Sequence, residues 1–243
     1  MHYAIIADIH ANLAAFTAVL EDIERKGGVD EIWCLGDIVG YGPDPHQCIE
    51  VLQRYNHVCV AGNHDWAAIG KLDVSWFNPF AATACKWTAQ QLNPDDIEYL
   101  ESLPTTIEKD DFLLVHGSPM EHILEYIIST GIAARNFAYL QSKFCLVGHS
   151  HVPVVFKEEN GSCLPLQFSP GIGLMLGENR MIINPGGVGQ PRDGDPRASY
   201  AIYDSESRII RLYRIPYDIG ETQDKMMQAG LPIHLATRLK YGR

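Results

Sequence analysis

One pattern recurs five times in the chain: a short apolar run is followed, at once or after a single glycine, by His, Asp or Asn. The apolar runs span residues 3–7, 32–35, 58–61, 112–115 and 144–147. The polar residues that follow them are Asp8 and His10, then Asp37, then Asn63, His64 and Asp65, then His116, and finally His149 and His151. Open α/β sheets place their ligand sites at the carboxyl ends of the strands. The pattern therefore predicts that these side chains meet at one edge of a sheet.

The segments between the first three runs have the spacing of helices. Asn12 is a good N-cap, apolar residues 13, 16, 20 and 23 recur at helical spacing, and Gly27-Gly28 end the helix. A second helix is predicted from about Asp44 to Tyr55. The order β-α-β-α-β favours a parallel sheet. After residue 151 the pattern changes to short β runs, with Asn160-Gly161 as a hairpin turn.

Residues 66–104 interrupt this alternation. The segment is rich in aromatic residues, and Asn93-Pro94 has the form of a helix start. We expect two or three helices here, packed beside the sheet and partly overhanging the site, or alternatively an insertion with a core of its own. The chain contains no internal repeat, low-complexity tract or flexible linker. We therefore predict a single domain over residues 1–243, with a helical insertion at about 66–104.

Composition limits the classes of partner. The chain has 19 basic and 30 acidic residues, which give a net charge of −11. This charge disfavours binding to anionic membranes and to nucleic acids, although a nucleotide could still be a substrate. The six cysteines show no Cys-x-x-Cys pair, which indicates reduced thiols and not disulfides or a zinc knuckle. No apolar stretch reaches transmembrane length, and the first predicted strand begins close to Met1 without room for a signal peptide. We expect a cytoplasmic protein; the sequence carries no signal for an oligomeric state.

The strand-end residues have the chemistry of metal ligands. Imidazole nitrogens together with carboxylate oxygens suit Mn, Fe or Zn, and we favour manganese. The candidate ligands are Asp8, His10, Asp37, Asn63, His116, His149 and His151. Seven ligands are too many for one tetrahedral ion with an open position, whereas two ions that share a bridging carboxylate leave room for water. Two divalent ions about 3.5–4 Å apart lower the pKa of a bridging water and stabilise charge on a phosphoryl group.

In chain order, the motifs Asp-x-His, Gly-Asp, Gly-Asn-His-Asp, His-Gly and Gly-His-x-His resemble those of the calcineurin-like metallophosphoesterases. The segment from Asn184 to Asp193 is similar to one in the small prokaryotic phosphodiesterase-like branch, so the resemblance covers nearly the whole chain. The resemblance implies an α/β (α+β) fold, a four-layer αββα sandwich of two mixed β-sheets flanked by helices. It also implies a two-metal site between the sheets.

The resemblance further implies a role for each site residue. One ion would be held by Asp8, His10, Asp37 and His151. The other would be held by Asp37 as the bridge, Asn63, His116 and His149. His64 matches the family's non-ligand histidine, which contacts the phosphate or protonates the leaving group, and Asp65 would orient that imidazole.

Two positions depart from related branches. In the protein-phosphatase and dinucleoside-tetraphosphatase branches the Gly-Asp motif continues into an Asp-Arg pair, whereas this chain has Gly40 and Tyr41 there. The departure disfavours a protein phosphatase. Arg192 is a candidate for the missing phosphate contact, and the alternative is an exposed loop arginine. Tyr41 is a candidate to stack on or hydrogen-bond the substrate, and the alternative is a packing role.

These observations predict a phosphoesterase, with a phosphodiesterase favoured, that acts on a small phosphate-ester substrate by attack of a metal-bound hydroxide. His64 would assist departure of the alcohol. The alternatives are a phosphomonoesterase or protein phosphatase, and a dinucleoside polyphosphate hydrolase. A non-catalytic scaffold that binds protein partners is a further alternative, but the presence of all seven candidate ligands argues against it.

Overall fold

Two six-stranded mixed β-sheets face each other in the computed structural model, which describes residues 1–243. The first sheet contains β1 (His2–Ile6), β2 (Glu31–Cys34), β3 (His57–Cys59), β9 (Gly173–Met175), β11 (Ala198–Asp204) and β12 (Ile209–Ile215). Its strand order is β3-β2-β1-β11-β12-β9. Strands β1, β2 and β3 are parallel, and β11, β12 and β9 each run antiparallel to the preceding neighbour.

The second sheet contains β4 (Thr106–Lys109), β5 (Phe112–Val115), β6 (Phe144–Leu146), β7 (Val154–Glu159), β8 (Ser162–Leu166) and β10 (Met181–Asn184). Its strand order is β4-β5-β6-β10-β7-β8, with β5, β6 and β10 parallel. Asn160 and Gly161 form the predicted hairpin turn between β7 and β8, with φ of 49° and 74°. Both parallel trios direct their carboxyl ends into the loops that carry the His, Asp and Asn residues.

Eight α-helices surround the sheets. They are α1 (Leu13–Arg25), α2 (Pro45–Gln53), α3 (Asn63–Ala68), α4 (Pro79–Gln91), α5 (Pro94–Ser102), α6 (Thr130–Phe137), α7 (Ile219–Gln228) and α8 (Ile233–Arg238). As predicted, the Asn12 side chain caps α1 by accepting a hydrogen bond from the Ala15 N–H at 3.1 Å. None of the helices combines the length and apolar character that a membrane span requires.

The alternating side chains of the strands build three apolar layers. In β1, Tyr3 and Ile5 belong to the core between the sheets, whereas Ala4 and Ile6 belong to the cluster shared with α1 and α2. A third cluster packs α6 against the outer face of the second sheet. Because both faces of the central strands are buried, these strands are continuously apolar in sequence. The predicted four-layer sandwich of two mixed sheets is confirmed.

Two edge strands, β4 and β9, do not appear in the sequence prediction. Strand β4 has the sequence Thr-Ile-Glu-Lys, and none of its residues is fully buried. Strand β9 has three residues, two of them exposed. Edge strands of this kind carry little hydrophobic pattern, because one side has no neighbour and one face contacts solvent.

The aromatic-rich segment 66–104 packs against two different parts of the molecule. Leu100 and Leu103, at the end of α5, join the cluster around α1 and the first sheet. Ala81 and Ala84 of α4 pack with Met226 and Leu235 of the C-terminal helices. The segment therefore shares its apolar contacts with other elements and does not enclose a core of its own. A 3₁₀ turn, Val74–Trp76, precedes α4.

Candidate metal centre

The strand-end side chains of both sheets converge in two buried groups. The first consists of Asp8, His10 and His151, whose donor atoms lie within 4.8 Å of one another. The Nε2 atoms of His10 and His151 are 3.1 Å apart, and His151 Nε2 is 3.3 Å from Asp8 Oδ1. Asp8 and His10 follow β1 of the first sheet, while His151 follows β6 of the second. This group therefore draws its members from both sheets.

The second group consists of Asp37, Asn63, His116 and His149. His116 Nε2 lies 3.1 Å from Asn63 Oδ1 and 3.2 Å from His149 Nδ1. Asp37 Oδ2 lies 3.4 Å from His116 Nε2 and also 3.5 Å from His10 Nε2 of the first group. Asp37 therefore stands between the two groups, as a bridging carboxylate must.

Hydrogen bonds to backbone carbonyls set the tautomers of the imidazoles. Nδ1 of His10 bonds the Val39 carbonyl at 3.1 Å, and Nδ1 of His116 bonds the Leu35 carbonyl at 2.7 Å. His151 uses Nδ1 for a carbonyl in the same way, and His149 uses Nε2. A carbonyl can only accept, so the N–H of each ring points outward and the other ring nitrogen faces the centre, where it offers a lone pair when it is deprotonated. This arrangement is typical of metal-binding histidines.

The buried oxygens of the centre also fit a cation. Asp8 Oδ2 and Asp37 Oδ2 are buried and make no hydrogen bond. An unpaired buried carboxylate oxygen is strongly destabilising unless a metal ion or proton neutralises it. The neutral nitrogen lone pairs and the two free carboxylate oxygens together form a donor set suited to divalent ions of intermediate hardness.

The backbone is strained at the loops that present these groups. Asp8, His10, Asp37, His149 and His151 all have positive φ, between 49° and 65°. Each such residue costs about 1–3 kcal/mol and persists only where the surrounding structure imposes it, which is common at functional sites. The sharp turns aim side chains from successive strand ends at a single point.

Electrostatics in the absence of a metal follow from burial and from the carboxylates. Burial lowers the pKa of His10, His149 and His151 well below the usual value, so these rings are neutral. Burial also lowers the pKa of His116, but the Asp37 carboxylate outweighs it and raises that pKa to about 9. Burial raises the pKa of Asp8 to about 7. Without a metal, His116 therefore carries a proton beside Asp37, and this positive charge lies where a metal ion would bind.

Asp65 does not orient His64, so that prediction is wrong. Its carboxylate accepts hydrogen bonds from the backbone N–H groups of Asp37 at 2.8 Å, Gly62 at 2.9 Å and Val39 at 3.1 Å. As the third residue of α3, Asp65 faces back towards the preceding loop and closes a capping box. Asp65 therefore supports the loop that carries Asp37.

His64 is held by a residue that the sequence did not indicate. Its Nδ1 lies 3.1 Å from the thiol sulfur of Cys85, on α4. Burial lowers the pKa of His64 to about 4 and raises that of the Cys85 thiol, so a neutral thiol and a neutral imidazole share this hydrogen bond. Gly40 leaves the space that this ring fills, because a Cβ atom there would lie 2.5 Å from His64 Nδ1.

Arg192 and Tyr41 lie together beside the centre. The Arg192 guanidinium is 3.4 Å from the Tyr41 hydroxyl and donates to Gln190 Oε1 at 2.9 Å. The Tyr41 ring packs 4.3 Å from the ring of His64, centroid to centroid. Burial raises the pKa of Tyr41 to about 12, so its hydroxyl stays protonated. Arg192 is therefore not a free loop arginine.

The segment from Asn184 to Gln190 ties the loops of the two sheets together. Asn184 Nδ2 donates to the Gly148 carbonyl at 2.6 Å, beside His149. The N–H of Gly189 donates to the Asp8 carbonyl at 2.9 Å. Gly189 permits this approach, because a Cβ atom there would lie 1.8 Å from the Ile9 carbonyl oxygen. The segment therefore fixes the positions of both ligand loops.

Known proteins resemble this chain in sequence and in fold. The model of the calcineurin-like phosphoesterase superfamily domain matches residues 1–208. A crystal structure of a metallophosphoesterase from Sphaerobacter thermophilus superimposes with a TM-score of 0.91 and 47% identity, covering 100% of this chain and 99% of that one. A hypothetical protein from Pyrococcus horikoshii OT3 shares the fold with a TM-score of 0.81 at 21% identity, covering 100% of this chain and 98% of that one.

Two curated relatives are also informative. An uncharacterized protein of Methanocaldococcus jannaschii is 38% identical over 245 residues, which cover 99% of this chain and 98% of that protein. A symmetrical bis(5′-nucleosyl)-tetraphosphatase of Pseudomonas putida is 34% identical over 62 residues, which cover only 25% of this chain and 22% of that enzyme.

Proposed function

Because the chain belongs to the calcineurin-like phosphoesterase superfamily, whose members depend on two divalent metal ions, we propose that it is a phosphodiesterase. The resemblance of the sequence motifs to this family is confirmed, and the chain is a phosphoester hydrolase. One observation carries the proposal: Asp37 joins two groups of ligand-type side chains, and Asp37 and Asp8 each have a buried carboxylate oxygen without a hydrogen-bond partner.

The proposed ligand assignment follows the two groups. Asp8, His10, Asp37 and His151 would hold one ion, and Asp37, Asn63, His116 and His149 would hold the other. When bound, the two ions supply a water of lowered pKa for attack and neutralise charge on the phosphoryl group. Manganese is the proposed metal, since oxygen ligands from Asp8, Asp37 and Asn63 accompany the imidazoles and no thiolate is present.

His64 is the proposed partner of the leaving group. We assign the hydrogen of this neutral ring to Nε2, with Nδ1 accepting from the Cys85 thiol. One of its ring nitrogens lies within 4.8 Å of the donor atoms of His10 and Asp37. A neutral imidazole with a protonated Nε2 donates a hydrogen bond to the phosphoryl group or to the departing alcohol oxygen. His64 thereby favours bond cleavage without holding a metal.

Arg192 and Tyr41 are the proposed phosphate contacts. The guanidinium of Arg192 offers several N–H donors in a plane that matches a phosphate. The positive charge of Arg192 also contributes to the lowered pKa of His151, so it acts close to the centre. One arginine and a neutral His64 suit the single negative charge of a phosphodiester better than the two charges of a monoester.

A dinucleoside polyphosphate hydrolase is the second candidate. It is supported by the partial match to the tetraphosphatase of Pseudomonas putida. It is opposed by Gly40 and Tyr41, which stand where that branch carries an Asp-Arg pair. A phosphomonoesterase remains the third alternative for the assay to test.

The test compares a phosphodiester, a phosphomonoester and a dinucleoside tetraphosphate with Mn²⁺ added, together with elemental analysis of protein purified without chelators. We expect about two metal ions per chain and fastest hydrolysis of the diester. Asp37→Asn removes the bridging charge and lowers both metal content and turnover. The matched control is Asp96→Asn, which changes a buried carboxylate that bonds His46 outside the site. Hydrolysis by Asp37→Asn at the rate of the unmodified protein would contradict the assignment.

A further inference from the structure

A cavity of about 270 Å³ opens beside the candidate metal centre. Asn63, His64 and His149 form its inner end. Trp76 and Phe77, from the turn before α4, form part of its outer wall. Any group attached to a phosphate bound at the centre must extend into this space or into solvent.

Aromatic rings dominate the wall of the cavity. Trp76 is 80% exposed although it is the largest apolar side chain of the turn. Tyr126 stacks on His149 with a centroid distance of 3.7 Å and an interplanar angle of 17°, yet it is still 42% exposed. Part of the Tyr126 ring is therefore accessible to a ligand. Exposed aromatic residues grouped around a cavity indicate a binding surface.

A polar residue, Asn78, also lines the cavity. The side-chain oxygen of Asn78 caps α4 by accepting from the N–H groups of Phe80 at 3.1 Å and Ala81 at 3.0 Å. That use of the oxygen fixes the amide orientation and leaves the NH₂ group of Asn78 free to donate to a ligand. The cavity thus combines flat apolar faces with a hydrogen-bond donor, which suits a heteroaromatic ring.

The overall charge limits the size of the ligand. The net charge of −11 opposes binding of a long polyanion such as RNA or DNA. A ring attached to one phosphate carries little charge and needs no extended basic surface.

We propose that this cavity binds the base of a mononucleotide, so that the preferred substrates are nucleotide phosphodiesters and not alkyl or sugar phosphodiesters. The proposal rests on the proposed function, because the phosphate of the nucleotide lies at the metal centre while the base stacks near Trp76 and Tyr126. Stacking of a base on an aromatic side chain tolerates different bases, so discrimination between purines is expected to be small.

The test measures binding of 5′-AMP and of ribose 5-phosphate to the Mn²⁺-loaded protein by calorimetry, with tryptophan fluorescence as a second signal. Base stacking predicts that 5′-AMP binds about 5- to 150-fold more tightly than ribose 5-phosphate. Trp76→Ala is expected to remove most of this ratio, and Trp76→Phe to retain most of it. Tyr139→Ala is the control, because Tyr139 is a 56% exposed aromatic residue outside the cavity.

Equal affinities for 5′-AMP and ribose 5-phosphate in the unmodified protein would overturn the proposal. An equal decrease of this affinity ratio in Trp76→Ala and Tyr139→Ala would also overturn the proposal. The proposed function is tested separately by hydrolysis of 2′,3′-cyclic AMP and of glycerophosphocholine. Hydrolysis of neither diester would contradict the proposed function, whereas hydrolysis of both at equal efficiency would contradict only the preference for nucleotides.

Discussion

Substitution of Gly40 by alanine should displace His64 and thereby show how much this histidine contributes to catalysis, separately from any loss of stability. Gly40 has φ of +88°, and an added Cβ would lie 2.5 Å from His64 Nδ1 and 2.9 Å from His64 Cβ and Cγ. Real Cβ contacts are essentially never this close, so the His64 side chain must shift from the position in which it contacts Cys85 and lines the cavity. Gly70 is the matched control, because its φ of +77° imposes the same backbone strain while no heavy atom lies within 4 Å of the added Cβ.

The expected magnitudes differ between activity and stability. Alanine in the left-handed region costs about 1–2 kcal/mol, so both variants should lose a similar free energy of unfolding from strain. A hydrogen-bond donor positioned on charge that develops in the transition state contributes about 100- to 1,000-fold to the rate. Gly40→Ala should therefore lower kcat for the diester by about that factor, while Gly70→Ala leaves kcat unchanged.

The assay combines steady-state hydrolysis of the diester, metal content and urea unfolding for the two variants. Metal content should stay normal in both, because His64 is not among the proposed ligands. Gly40→Ala with full metal content and undiminished kcat would refute the role assigned to His64. An equal fall of kcat in Gly70→Ala would show that backbone strain alone explains the effect.

Further predictions concern the hydrogen bond to His64, pH and metal removal. Cys85→Ala should shift the ¹⁵N resonances of His64 away from the Nε2–H tautomer and lower kcat about 2- to 10-fold, as expected for the loss of one neutral hydrogen bond. Cys85→Ser should largely restore both the resonances and kcat. Unchanged ¹⁵N shifts in the alanine variant would contradict this prediction. In metal-free protein the raised pKa of His116, about 9 against 6.5 when unfolded, gives stability that is present below pH 6.5 and lost as the pH rises towards 9, so the Tm should fall over that range. Because metal binding must displace the His116 proton, Mn²⁺ affinity should increase with pH over the same range, and a pH-independent Kd would contradict the ligand assignment. Mn²⁺ at 100 times its Kd should stabilise the chain by about 2.7 kcal/mol per site, measured as a Tm increase that EDTA reverses.

The parts of the fold that the sequence predicts are those with a strong hydrophobic pattern. Strands such as β1 and β5 are buried on both faces and therefore appear as continuous apolar runs. The Asn12 cap and the Asn160-Gly161 turn depend on local chemistry and are equally visible. Strands β4 and β9 are partly polar, lie at sheet edges and depend on their neighbours, so no local pattern marks them.

The same distinction applies to the site. The candidate ligands follow directly after buried strands, and the structure brings all seven together. Cys85 lies in an apolar helix without any motif, and its contact with His64 depends on how α4 packs on the C-terminal helices. Asp65 directly follows His64 in sequence, which suggests that it orients the His64 imidazole. The helical geometry of α3 instead turns its carboxylate towards the backbone of Asp37.

The distribution of the ligand groups over both sheets has a mechanical consequence. His10 and His151 face each other although they are 141 residues apart in the chain. Metal ions bound between these two residues, and between Asp37 and His116, would cross-link the two sheets at one end of the sandwich. Removing those links leaves only apolar packing and the hydrogen bonds between the loops to resist separation of the sheets there. Local unfolding on heating should therefore begin at this end, where protease cleavage would first detect it.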